Sequence, residues 1–198
     1  MYTLFKDQAI VLKRTFVGEK DLSLTVYTKK LGKDSIFIQN GQLIKNLPIV
    51  SLTEFNWFSG VFFKIKDKLY INEIDNFKNV AIEIVKDYNK FLSAYNIISW
   101  IYNFAPHQDE KIFILLKKTL YYLTLTNDTD LLELSFLVRL MYLNGELNLN
   151  IIDLENQEKE LLINLLKTPI SQISSISNKE NINLQKIKEK LLSFAHSL

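Results

Sequence analysis

Hydrophobic and polar positions alternate along residues 1–78 and then change period. In DLSLTVYT, Leu22, Leu24 and Val26 fall on one face and Ser23, Thr25 and Tyr27 on the other, the two-residue repeat of a half-buried strand. AIVLKRTFV before it and DSIFIQN after it match it in length and β-branched content, with Gly18, Gly32 and Gly41 punctuating as turn residues do. VSLTEFNWF and GVFFKIKDKLYINEID add more strands, the latter with a turn near Asp67. Five or six short strands in so few residues predict a small closed or nearly closed barrel.

Around Asn79 the apolar positions begin to recur at three and four, the period of a helix. NVAIEIVKDYNKFLSAYNIISWIYNFA, free of internal Gly and Pro, predicts one long helix. Asp109 opens a second through IFILLKKTLYYL, and Asp128 or Thr129 caps a third, TDLLELSFLVRLMYLN, closed by Gly145. That third helix is apolar nearly all round, as expected at the centre of a bundle. ENQEKELLINLLK gives a fourth, stopped before Pro169, and NLQKIKEKLLSFAHSL a last one with Leu184, Ile187, Leu191 and Ala195 on one stripe. ISQISSISNKEN reads as a surface loop. Residues 91–108 carry no formal charge, but Ser93, Asn96, Ser99 and Asn103 at helical spacing make the segment amphipathic, not membrane-spanning. The predicted class is therefore α+β: a β-barrel domain over residues 1–78, then an all-α domain over 79–198.

Composition adds bounds. With 198 residues, 47% of them apolar, the chain can fill one sizeable core or two small ones. The absence of cysteine excludes a disulfide framework, a thiol nucleophile and thiolate-bound zinc. MYTLFKDQAI lacks the layout of a signal peptide, so a cytoplasmic location is expected. Charge is uneven. Residues 1–79 hold twelve basic and eight acidic side chains, against twelve and fourteen in the remainder, and residues 13–45 alone hold seven basic and three acidic ones. A localised positive region points to an anionic partner.

Candidate catalysis is thin. His107 and His196 have neither metal-ligand nor triad spacing, and no phosphate-binding glycine loop is present, so no enzyme is expected. The barrel cations Lys13, Arg14, Lys20, Lys29, Lys30, Lys33 and Lys45 are the candidate phosphate contacts, with Phe16, Tyr27 and Phe37 interleaved as stacking platforms. The alternative for these residues is that the aromatics are core and the lysines solubilise turns. Arg139 is the lone cation of the third helix. Either its head reaches solvent or an internal ion pair, or it stands beside Phe136 at an apolar groove for a peptide with acidic and aromatic ends. Lys117 and Lys118 would belong to the same groove.

AIVLKRTFVGEKDLSLTVYTKKLGK resembles the opening of the bacterial RecO recombination mediators. Their apolar first strand matches residues 9–12, their basic residue Lys13 or Arg14, their GE-x-D turn Gly18, Glu19 and Asp21, and their G-K turn Gly32 and Lys33. LSFLVRLMYLNGELNLN is similar to the family's F-x-x-R-L-L helix and glycine turn through Phe136, Arg139, Leu140 and Gly145. The resemblance implies an OB-fold barrel joined to a helical domain. It also implies a cytoplasmic, nucleoid-associated protein that binds single- and double-stranded DNA and anneals strands. Its partners would be the acidic tail of single-stranded DNA-binding protein and RecR, with which it would load recombinase at gaps. Family members often carry a four-cysteine zinc ribbon; this chain has none, so no metal or cofactor is implied. NGQLIKNLP offers only Lys45 where the family is more basic. The residues by themselves leave open a protein–protein adaptor or an RNA-binding barrel.

Overall fold

The computed structural model describes residues 3–41, 49–105, 107–176 and 182–196. Five strands come first: β1 (Leu4–Val17), β2 (Asp21–Thr28), β3 (Gly32–Ile38), β4 (Trp57–Ile65) and β5 (Lys68–Lys78). They close into a barrel of order β1-β2-β3-β5-β4, the one parallel contact being Ile36 with Leu69. This is the five-stranded Greek-key barrel of the OB-fold. A bulge between Val11 and Lys13 bends β1, whose first half pairs with β4 and whose second half pairs with β2.

Burial explains the runs. Ala9 and Val11 point into the barrel with Leu22, Leu24, Val26, Ile36, Phe58 and Phe62. Ile10 and Leu12 point the other way, into a second core shared with the helices, together with Tyr27 and Phe55. AIVL is thus apolar on both faces because both are covered. The expected strand VSLTEFNWF is only half right. Ile49–Leu52 is a 3₁₀ helix whose Leu52 joins the barrel core, and β4 starts at Trp57.

After β5 come α1 (Ala81–Ile84), α2 (Tyr88–Phe104), α3 (Glu110–Leu125), α4 (Thr129–Leu143), α5 (Asn156–Lys167) and α6 (Leu184–Ala195). The expected long first helix breaks at Asp87, whose carboxylate accepts the N–H groups of Asn89 and Lys90 and so starts α2 afresh. Asp109 caps α3 in the same manner. The central α4 packs against α2, α3, α5 and α6. Ile170–Ser175, expected as a surface loop, is a 3₁₀ helix that buries Ile173 against the bundle.

The polar positions of α2 do not simply face water. Ser93 is buried and donates to Glu133 Oε2 (2.8 Å), and Asn96 Nδ2 donates to Glu133 Oε1 (3.1 Å). Lys188 of α6 reaches the same carboxylate at 3.1 Å and Asp130 at 3.0 Å. A buried ionic cluster therefore ties α2, α4 and α6 together. Among the described residues, no helix is long and apolar enough to cross a membrane.

Candidate nucleic-acid interface and peptide groove

The outer face of β1, β2 and β3 is set by register. Lys13 lies across from Thr25, which lies across from Ser35; Thr15 lies across from Ser23, which lies across from Phe37. The neighbours Leu22, Leu24 and Ile36 fill the barrel, so this set points outward. Phe37 is 40% exposed there, and Phe16 is 61% exposed near the β1–β2 turn. The Arg14 guanidinium sits 5.4 Å from the Phe16 ring centroid, and Lys13 and Lys20 are exposed nearby. Exposed cations beside exposed aromatic rings can hold phosphates and stack bases. Tyr27, by contrast, is buried and donates from its hydroxyl to the His107 carbonyl (2.9 Å). Burial pushes its phenol up to about 12, and it presents no ring to a ligand.

Lys29, Lys30 and Lys33 sit at the other end of β2, about 25 Å along the strand from its Lys20 end, while Lys13, across from Thr25, is only about 10 Å along the strand from Thr28. Lys29 Nζ pairs with Glu110 Oε1 at 2.9 Å, and its carbonyl accepts from Gln108 Nε2 (3.1 Å). Lys33 Nζ donates to the Tyr102 carbonyl (2.7 Å) and lies 4.4 Å from the Tyr102 ring centroid. Between them Gly32 has φ +73, and a Cβ there would stand 2.7 Å from the backbone nitrogen of Gln108. These residues dock the helical half onto the barrel. Lys30 stays exposed, its N–H bonded to Asp7 Oδ2 (3.2 Å). The expected lane therefore divides by role: Lys29 and Lys33 are engaged with the helical half, Lys13, Lys20 and Lys30 are exposed, and Lys45 lies outside the described residues.

The helical half carries a groove of about 620 Å³ between α3, α4 and the end of α5. Arg139, Lys111, Lys118 and Lys167 line it beside Ile114, Leu166, Pro169 and Ile170, with no acidic residue in the lining. The Arg139 guanidinium is held by the carbonyls of Leu165 (2.7 Å) and Thr168, and its Nε bonds Ser135 Oγ (3.2 Å). It caps the C-terminus of α5, and burial lowers its pKa from the ordinary arginine value. Two expectations are corrected here. Phe136 is 1% exposed and stacks on Trp100 in the core, so it supports the bundle and cannot touch a partner. Lys117 points toward the barrel, donating to Gln8 Oε1 (3.0 Å), and is absent from this groove. Lys111 and Lys167 were missed by sequence reasoning. The seven-residue spacing of Lys111 and Lys118, two helical turns, is the signal that places both on one face.

His107 and His196 remain apart from any such site: His107 is exposed, and His196 Nδ1 contacts the Leu192 carbonyl at 2.7 Å. No cluster of acidic, His or Cys side chains suited to a metal ion occurs among the described residues.

These features define a class: an OB-fold barrel carrying cationic surfaces, followed by a helical bundle. Within that class the chain is similar to the DNA repair protein RecO of Clostridium acetobutylicum, at 27% identity over 97 residues. The match covers 49% of this chain and 36% of the relative, which supports a RecO-like relationship. No family model matches the chain.

Proposed function

We propose that the chain is a non-enzymatic mediator of DNA repair of the RecO kind. It binds single- and double-stranded DNA on the outer face of β1, β2 and β3, without reading sequence. It receives the acidic tail of single-stranded DNA-binding protein in the groove beside Arg139. Strand annealing, recombinase loading at gaps and work with RecR follow from that assignment. The observation that carries the reading is the outer barrel face, where Lys13 and Phe37 lie on the same side of paired strands with Arg14, Phe16 and Lys20 around the adjoining turn. The acid-free groove and the similarity to RecO support it.

Gel shifts with a single-stranded oligonucleotide, a duplex and an RNA of equal length test it. A DNA mediator retards both DNA forms. Retardation of RNA alone moves the chain to RNA binding, and no shift with any probe moves it to an adaptor role. For the groove, Lys111→Glu with Lys167→Glu weakens a tail peptide with acidic and aromatic ends by ten-fold or more and leaves oligonucleotide affinity unchanged. Equal peptide affinity in variant and parent refutes the docking site.

A further inference from the structure

The end of the barrel opposite the β1–β2 and β4–β5 turns carries a second cationic groove. β4 leaves Trp57 toward the β4–β5 turn and β5 returns to Lys78, the two residues being paired across the sheet. Both thus lie a full strand length, about 30 Å, from that turn. α3 forms the facing wall with Lys117, Lys118 and Tyr121. Two adjoining cavities of about 390 and 320 Å³ share Gln8, Trp57 and Lys117.

Lys117 is fixed in place. Its ammonium donates to Gln8 Oε1 at 3.0 Å and lies 5.5 Å from the centroid of the Trp57 ring. No Asp or Glu lines either cavity. Among the described residues, Lys78, Lys117 and Lys118 have no carboxylate in salt-bridge reach; Lys29, also in the lining, is the one paired, with Glu110. Burial, and then the neighbouring Lys29 charge, hold the pKa of Lys117 below the ordinary lysine value. The fold thus holds the Lys117 ammonium partly desolvated and without a carboxylate of its own, a cost that an incoming anion relieves.

Aromatic surface decides which anion. Trp57, Phe77 and Tyr121 flank the cations, and a nucleic-acid strand offers phosphates and stacking faces at once. The groove beside Arg139, assigned above to an acidic peptide, has no Trp or Phe in its lining.

We propose that this barrel-end groove holds a second nucleic-acid strand, with phosphates against Lys78 and Lys117 and bases toward Trp57 and Tyr121, while a first strand occupies the outer face of β1, β2 and β3. The inference rests on the DNA-binding reading above and deepens it. One chain then grips two strands on one barrel, the groove reaching β1 at Gln8 and the outer face beginning at Lys13, which is the physical requirement for bringing strands together.

The test uses the full chain with two non-complementary oligo-dT probes, one carrying an energy donor and one an acceptor. The parent binds two strands per chain and gives energy transfer between the probes. Lys78→Glu with Lys117→Glu binds one strand within about two-fold of the parent's affinity, and transfer falls to background. Transfer equal to the parent's overturns the groove assignment and leaves the DNA-binding reading standing; no binding by the parent overturns both. Acetylation footprinting on the parent needs no variant to fold. Protection of Lys117 by oligo-dT supports the proposal. Its protection by an acidic peptide and not by oligo-dT overturns the proposal in favour of a peptide site.

Discussion

Replacing Lys188 by methionine isolates the buried charge cluster of the helical half. The Glu133 side chain is 4% exposed and that of Lys188 6%, so neither charge is compensated by water. Removing one member of a buried pair costs about 3–5 kcal/mol because the other charge is stranded. Glu133 keeps hydrogen bonds from Ser93 and Asn96, which places the expected loss near the lower bound, about 3 kcal/mol. At this chain length each kcal/mol moves the melting midpoint by roughly 2–4 °C, so the drop should be about 6–12 °C. Adding Glu133→Gln removes the stranded charge and leaves an acceptor for Ser93, so the double variant should recover about 2 kcal/mol or more of the loss. Urea unfolding of the parent, both singles and the double closes the cycle. A Lys188→Met loss below about 0.5 kcal/mol, or additive single effects, would refute the claim that this pair is desolvated.

Gly32→Ala should cost at least about 1–2 kcal/mol from its left-handed φ, and more from the clash with Gln108. Urea unfolding gives the size, and faster amide exchange in the segment around His107 and Gln108 shows that docking has loosened. Burial by itself raises the pKa of Glu158, but the hydrogen bonds from Lys190 and the Glu155 N–H and the Lys190 and Lys186 charges outweigh it, so the folded pKa lies below 4.5. The stability this gives is present in full above 4.5 and is lost as pH falls through the folded value. Lys190→Met should therefore narrow toward the parent in urea midpoint only as pH drops below that range. Lys13→Glu with Lys20→Glu should make the slope of log affinity for single strands against log salt shallower by about 1.4, at about 0.7 per lost phosphate contact. A slope unchanged in fluorescence titrations counts against the outer face.

What was legible in the chain follows the one-sided cases. DLSLTVYT was readable as β2 because one face is core and the other is not, so alternation carries the whole message. VSLTEFNWF misled because its buried positions belong to a 3₁₀ helix and a turn, with Phe55 at φ +73, a conformation that no local residue pattern announces. The break at Asp87 was hidden by apolar residues continuing at helical spacing on both sides of it. Phe136 could not be placed because α4 is covered on nearly every face, which leaves no polar side to define outward. Lys117 and Lys118 were grouped although adjacent helical residues point about 100° apart; that signal was present in the sequence.

The clustering of cations has two causes that only the fold separates. Lys29 and Lys33 hold the start of α3 and the end of α2, through partners about eighty and seventy residues downstream, beyond any pattern readable within a strand. Reversing their charge changes docking and phosphate attraction together, so weaker DNA binding in such variants would not locate a DNA site. The exposed Lys29–Glu110 pair itself contributes about 0–1 kcal/mol, whereas the Lys33 bond to Tyr102 also positions the chain entering the His107 segment. Lys13, Lys20 and Lys30 are free of carboxylate partners within salt-bridge reach among the described residues, so their reversal alters electrostatics while sparing the docking contacts. Comparison of that set with Lys78, which is exposed on β5, distinguishes one binding surface from two, whereas a change at Lys117 also breaks its contacts with Gln8 and Trp57 across the barrel–helix seam and needs amide exchange along that seam as its control.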